Sequence, residues 1–307
     1  MGRRKKGDPV TGWVIVDKPS GPTSTDVVNR VRRHFNARKA GHAGTLDPLA
    51  TGLLPVAMGE ATKTIPFIMD ADKGYLITIR FGIETNSADA EGDVVAQSDE
   101  RPSDEEIRDA LEAFRGEIEQ VPPIFSAIKV NGERAYDLAR AGEEVELKSR
   151  RVTIHEIRLV SRPDPDHAVV EILCSKGTYA RSLARDLARH LGTVGHVAAL
   201  RRTRHGPFSE EDGIPLDKLL ALSHYPAASE ALRTHLLPLE TALDDIPAVA
   251  LSDDDASRLR HGQEVLLRGR DAPILSGSVL ATHRGNPVAL TEFDRGSLRP
   301  VRVFNFE

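Results

Sequence analysis

The stretch GHAGTLDPLATG, residues 41–52, concentrates the residue types that could do chemistry. Asp47 is followed by Pro48, whose ring fixes its own φ and biases Asp47 toward extended backbone. Gly41 and Gly44 allow the chain to approach a ligand closely. A carboxylate on so stiff a loop can act as a nucleophile or a base. An Asp-Pro pair is equally an ordinary turn former, and His42 could be no more than a loop hydrogen-bonder, so these residues alone leave both readings open. Competing chemistries lack their parts. No HExxH or CxxC is present, which argues against zinc. GEATKT at 59–64 lacks the glycine before lysine that a phosphate loop needs, and no GxSxG exists. Position 49 is leucine, so Asp47 has no second carboxylate two residues on to hold magnesium. A hydrolase built on Asp47 and His42 would need a metal or an acyl site that nothing here supplies.

Something must position that loop. Residues 13–17 form a short β-rich run. Thr23 with Asp26 makes a capping box, and Val27, Val28, Val31 and Phe35 recur at helical spacing, which predicts a helix over 24–35. Residues 36–63 read as glycine-rich loop. YLITIRF at 75–81 alternates as a strand. Ser103 and Glu106 cap a helix that ends at Gly116. Residues 131–151 read as a loop or a short helix. A strand over 168–174 is broken by Gly177, and a helix over 179–191 carries Arg181, Arg185 and Arg189 at four-residue spacing. One more strand covers 194–204, and two short helical segments follow to about residue 243. From 248 onward the texture is short β runs broken by glycine. Strands separated by isolated helices point to an α+β fold with a mixed or antiparallel sheet.

The chain has 307 residues, above the ~250 at which one core tends to divide, so a large and a small domain are expected. No run approaches the roughly 18 apolar residues that cross a bilayer. The basic N-terminus has no apolar stretch behind it and Cys174 is the one cysteine, so a cytoplasmic protein without disulfides is expected. The net charge of −5 is unevenly spread. Arg30, Arg32, Arg33, Arg38 and Lys39 cluster without an acid, and seven cations between Lys176 and Arg204 face one acid, Asp186. A two-sided molecule can bind phosphates despite a negative total, although each run alone reads as a solvated helix face.

The stretch GHAGTLDPLATGLLPVAMGEATK, residues 41–63, is similar to the signature of the TruB family, the bacterial tRNA pseudouridine-55 synthases. DKPSGPTS at 17–24, VPPIFSAIK at 121–129, and KGTYAR at 176–181 with Leu200-Arg201-Arg202 behind it resemble further family motifs in the same order. The resemblance covers residues 12 to about 205. It implies an α+β pseudouridine synthase catalytic domain over 12–243, after residues 1–11 that by their composition read as a disordered basic arm, and followed by a small β-rich, PUA-like RNA-binding domain at 248–307. It implies isomerisation of uridine 55 in the T-loop, with tRNA folding as a second activity. The partner would be the T-loop and T-stem of tRNA, with neither cofactor nor metal nor membrane, and the protein is expected to be a monomer. By the resemblance Asp47 is the nucleophile, Tyr75 stacks on the extruded uracil, and Tyr179 sits beside the base. Arg181 pairs with Asp47, Lys18 frames the pocket, His42 lies against the T-loop, and Leu200 lines the apolar side. Read without it, Tyr75 could be plain core, and Tyr179 with Arg181 an ordinary helix start.

The physics agrees with these roles. A base in a folded loop must be taken out of its stack before chemistry, and an aromatic face supplies roughly 1–3 kcal/mol of stacking. A dry pocket raises an aspartate's pKa, and a neighbouring arginine opposes that rise.

Overall fold

A computed structural model describes residues 7–125, 129–130, 133–134, 147–222, 231–267 and 275–306. In chain order the strands are β1 (Gly12–Lys18), β2 (Ala40–His42), β3 (Thr51–Met58), β4 (Lys73–Phe81), β5 (Ile83–Thr85), β6 (Val94–Gln97), β7 (Gly116–Gln120), β8 (Lys129–Val130), β9 (Glu133–Arg134), β10 (Arg150–Asp164), β11 (His167–Cys174), β12 (Gly195–His205), β13 (Phe208–Ser209) and β14 (Ile214–Pro215). The main sheet runs β14-β1-β3-β12-β4-β11-β10-β7, with β2 added on β3 and β13 on β12. It is mixed: β1 with β14 and β3 with β12 are parallel, and the other pairs are antiparallel. The expected α+β class with a mixed sheet is therefore what the chain adopts.

Two strands escape the alternation rule. The glycine-rich region read as loop contains β3, inside the sheet between β1 and β12, and nothing in the sequence reading placed a strand over 150–164. β3 is buried along almost its whole length because both faces are covered. Leu54, Val56 and Met58 join the layer beneath the helices, with Val27, Val31, Leu183 and Leu187. Leu53 and Ala57 join the opposite layer, with Trp13, Ile15 and Phe208. A strand buried on both faces has no polar side to show, so it does not alternate. Pro55 sits inside it without breaking a ladder. Its carbonyl accepts from Ala43 N at 3.0 Å, on the side away from β1, so its missing N–H also faces away from β1.

The helix Ser24–His34 starts at the expected capping box, with Thr23 and Asp26 exchanging hydrogen bonds. The Ser103–Glu106 box caps the helix Asp104–Glu112 in the same way. The helix Ala180–His190 buries Ala180, Leu183, Ala184, Leu187 and Ala188 against the sheet.

A second, five-stranded sheet follows: β15 (Ala248–Ala250), β16 (Val265–Leu266), β17 (Gly277–His283), β18 (Asn286–Asp294) and β19 (Ser297–Val303), in the order β15-β17-β18-β19-β16. The helix Asp253–Arg260 packs on it. Leu280, Leu290 and Phe304 continue the layer of Trp13 and Phe208. Lys63 Nζ donates to Val303 O at 2.7 Å, and Asn305 N to Glu60 Oε2 at 2.7 Å.

Of the N-terminal arm, residues 1–6 lie outside the described residues. The rest is tied down: Asp8 N donates to Asn36 O at 2.7 Å, and Arg38 Nε to Gly7 O at 2.9 Å. Most of the loop or short helix expected over 131–151 also lies outside the described residues.

Candidate active site

Asp47 stands on the loop between β2 and β3, and four separate tethers hold that loop. Lys18, fully buried at the end of β1, donates from Nζ to Pro48 O at 3.0 Å and to Pro19 O at 2.9 Å. Gly21 N donates to Pro48 O at 2.8 Å. Ser24, the first residue of its helix, donates to Leu46 O at 3.0 Å and accepts from Leu46 N at 2.8 Å. Arg202 donates from Nη2 to Gly44 O at 3.2 Å. The residues on either side of Asp47 thus have their backbone groups satisfied by other elements.

The carboxylate faces Arg181. Arg181 Nε lies 3.0 Å from Asp47 Oδ2, and its Nη1 lies 3.3 Å from Asp89 Oδ2. Two further guanidinium contacts go to Ser87 O at 3.2 Å and Phe125 O at 2.9 Å. Asp89 is fixed in turn, accepting from Ser87 Oγ at 2.5 Å and Glu91 N at 3.1 Å. The side chains of Arg181 and Asp89 are 7% and 5% exposed, whereas Asp47 keeps 35% of its side-chain surface open. The array is a buried arginine clamped between an internal carboxylate and one that reaches the opening. Burial pushes the Asp47 carboxyl above its ordinary range, the Arg181 guanidinium pulls it down, the charge on Asp89 adds to the rise, and Lys18 opposes it. Burial also pushes the Lys18 ammonium down to about 8.

The other expected residues surround this centre. Tyr75 sits on β4, partly buried, paired in register with Ile172 and Arg202. Burial raises its phenol, with Arg202 lowering it and Asp47 among the charges that act on it. Tyr179 caps the helix Ala180–His190, and its backbone is gripped by buried Gln120. Tyr179 N donates to Gln120 Oε1 at 2.7 Å, and Gln120 Nε2 donates to Tyr179 O at 3.1 Å. Leu200 lies 7% exposed on β12, opposite Ile77. His42 ends β2 and is held below its ordinary pKa by burial and by Arg202, which keeps it neutral. Its Nδ1 is buried and meets no hydrogen-bond partner among the described residues. Of these expected residues, Arg181 and Lys18 make direct hydrogen bonds or ion pairs to the Asp47 loop. Tyr75 is coupled to it by charge, and Tyr179, Leu200 and His42 are placed by the strands and helix around it.

Three participants were given no role from the sequence. Asp89 lies in an acidic run that reads as solvated surface, Ser24 reads as a helix start, and Gln120 carries no motif. The basic stretch 176–204 also differs from the phosphate-binding face it suggests. Arg181 and Arg202 are buried. Lys176 pairs with Asp70 at 2.7 Å, Arg185 with Asp186 at 2.8 Å, Arg189 with Glu84 at 2.6 Å, and Arg201 with Asp17 at 2.9 Å and Glu210 at 2.7 Å. Apart from Asp186, the acids that accept these cations lie outside the stretch, which a linear charge count does not reveal.

Ser24→Ala removes both tethers of Leu46 and leaves its buried N–H without an acceptor. We expect it to cost about 2 kcal/mol in urea unfolding. It should also slow any reaction that depends on Asp47 several-fold more than it weakens binding. Unchanged stability would mean that Ser24 does not hold the loop.

The arrangement presents an ionisable carboxylate, backed by a buried cation and open to solvent over a third of its side chain, with Tyr75 near enough to feel its charge. It suits attack on a flat, neutral ring or on the sugar carbon beside it. The sequence matches the TruB family pseudouridylate synthase N-terminal domain over residues 32–180 and the tRNA pseudouridylate synthase B C-terminal domain over 181–244. It is 55% identical to tRNA pseudouridine synthase B of Caulobacter vibrioides over 99% of both chains. It is 58% identical to tRNA pseudouridine synthase B of Bradyrhizobium diazoefficiens, over 99% of this chain and 88% of that one. Among solved structures, a chain of the H/ACA RNP bound to a substrate RNA containing 2'-deoxyuridine superposes with a TM-score of 0.75. That chain is 25% identical, and the match covers 100% of this chain and 92% of the other.

Proposed function

The chain belongs to the TruB family of pseudouridylate synthases, and we propose on that footing that it converts uridine 55 in the T-loop of tRNA to pseudouridine, with Asp47 as the nucleophile. The single observation that carries this assignment is the Asp47–Arg181–Asp89 array. Within it Arg181 opposes the burial that favours the neutral acid of Asp47, and Asp89 holds Arg181 in place.

The reaction breaks the bond from uracil N1 to the ribose anomeric carbon and forms a bond from that carbon to C5. C5 gives up its hydrogen, and N1 gains one. Uracil is retained throughout, so the pocket must grip a detached base while it turns. Tyr75 offers a ring for stacking and Leu200 an apolar wall. Tyr179, held by Gln120 at the helix start, closes the other side. Lys18 fixes the loop backbone behind the nucleophile, and neutral His42 faces the space left by the extruded nucleotide. Arg181 compensates the charge of Asp47 while it is ionised. The catalytic unit is residues 12–243. The β-rich unit at 248–307 is a PUA-like module that grips tRNA away from the target base. The enzyme works on tRNA in the cytoplasm as a monomer.

The test is tritium release from unmodified tRNA transcript labelled at C5 of uridine. One equivalent per tRNA, lost when position 55 is cytidine, is the expected result. A tRNA that is bound without release would sink the synthase assignment and leave an RNA-folding role as the better account.

A further inference from the structure

Arg202 has no part in the chemistry described above, yet its side chain is among the largest wholly buried ones, 1% exposed. Among the described residues it makes no ion pair with a carboxylate. Burying a guanidinium without a counter-charge is costly, so its hydrogens must all find acceptors. The acceptors are informative. Nε donates to Leu53 O at 2.7 Å, and Nη2 to Gly44 O at 3.2 Å. Gly44 lies three residues before Asp47 and Leu53 six residues after it, so one side chain ties both ends of the nucleophile loop. The guanidinium also acts on the phenol of Tyr75 through charge, each favouring the ionised form of the other.

The backbone repeats this convergence. Arg202 pairs in parallel with Gly52 and in antiparallel with Tyr75. A Cβ on Gly52 would stand 2.2 Å from Arg202 O, and Gly52 has φ +94°, so only glycine allows the strands this close. The neighbouring nitrogen-bearing side chains cannot take over. Lys73 spends Nζ on Met69 O and Ala71 O, and His205 spends Nε2 on Ile68 O. A lysine at 202 would present a point charge in place of a planar fork and could not hold the two divergent carbonyls of Leu53 and Gly44 in the same geometry.

We propose that Arg202 is a positioning residue that sets the Asp47 loop and the Tyr75 ring relative to each other, so that a base stacked on Tyr75 meets the Asp47 carboxylate. This rests on the roles given to Asp47 and Tyr75 above.

The experiment uses full-length protein and tRNA transcript labelled with tritium at C5. It measures single-turnover rate, tRNA affinity by filter binding, and the thermal unfolding transition for R202K, Y75F, the double variant and D47N. A misplacement of about 1 Å costs on the order of 100-fold, so R202K should lose about that much rate with tRNA affinity within about threefold of the parent. Y75F keeps the ring but loses the phenol oxygen that Arg202 acts on, and should lose about tenfold alone and nothing further in the R202K background, because coupled residues are not additive. An R202K rate within threefold of the parent, or losses that multiply, overturns the proposal. If R202K shows no cooperative unfolding transition, Y75F decides: a tenfold slower rate at unchanged affinity supports the tie, and a parental rate overturns it. D47N separates the two readings. A D47N enzyme that turns over overturns the assignment of Asp47 itself. An inactive D47N beside an active R202K removes only the role of Arg202.

Discussion

Asp47→Asn should abolish pseudouridine formation while leaving tRNA affinity within about threefold of the parent, a loss in turnover of roughly 10⁴-fold or more as expected for removing a nucleophile. The amide has the same shape and can still accept from Arg181, but it carries no charge and adds poorly to an electrophilic centre. Its effect on stability should run the other way. In the folded protein the Asp47 carboxyl lies above its ordinary range. Between the unfolded and folded pKa values the native state binds more protons than the unfolded one, so stability falls as pH rises through that window. At neutral pH the parent therefore bears the cost of an ionised carboxylate that the asparagine variant lacks. Thermal unfolding at pH 7 should place D47N at or above the parent. A variant that is inactive and also several degrees less stable would point to a damaged loop, and the catalytic reading of the loss would fail.

Arg181→Met should have the second largest effect. Arg181 stands between Asp47 and Asp89, at 3.0 Å and 3.3 Å, with its side chain 7% exposed. Removing it leaves two carboxylates facing each other with no cation between them. Taking one partner from a buried ionic group costs about 3–5 kcal/mol, borne here mainly by Asp89 because Asp47 opens to solvent and is screened. The catalytic consequence depends on pH. Arg181 opposes the rise in the Asp47 pKa, so its loss lets burial and Asp89 push that pKa further up. The active form is the carboxylate. Single-turnover rates should therefore fall about 10³-fold near neutrality, with the acid limb of the pH profile moved upward and part of the rate recovered toward pH 9. Arg181→Lys keeps a charge but cannot span both carboxylates and two carbonyls, so it should recover stability better than rate. An acid limb unmoved in Arg181→Met would mean that Arg181 does not govern the ionisation of Asp47.

These two variants probe a centre that was only half legible in the chain. Asp47 could be found because its constraint is local. The proline behind it and the glycines before it are neighbours in sequence, and the ordered motifs around them mark the family. Arg181 could be found only through that family likeness, since its helix position is equally that of a surface arginine. Asp89 could not be found at all. It joins Arg181 because β5 and β6 carry the 83–97 segment against the start of the helix Ala180–His190, and no sequence period encodes that approach.

The sequence by itself determined the local structure: the capping boxes at Thr23 and Ser103, the alternating strands β4 and β11, the amphipathic helices, and the stiff Asp47-Pro48 turn. Each follows from interactions within about four residues, where the period of side chains along a helix or strand is set. Only the tertiary structure decided where β3 runs, because covering it on both faces erases its period. It also decided which of the clustered cations remain free. Residues 176–204 read as a basic face, yet folding brings Asp17, Asp70, Glu84 and Glu210 to them and buries Arg181 and Arg202. Charge acts through space, and the distances that decide its effect do not exist until the chain has folded.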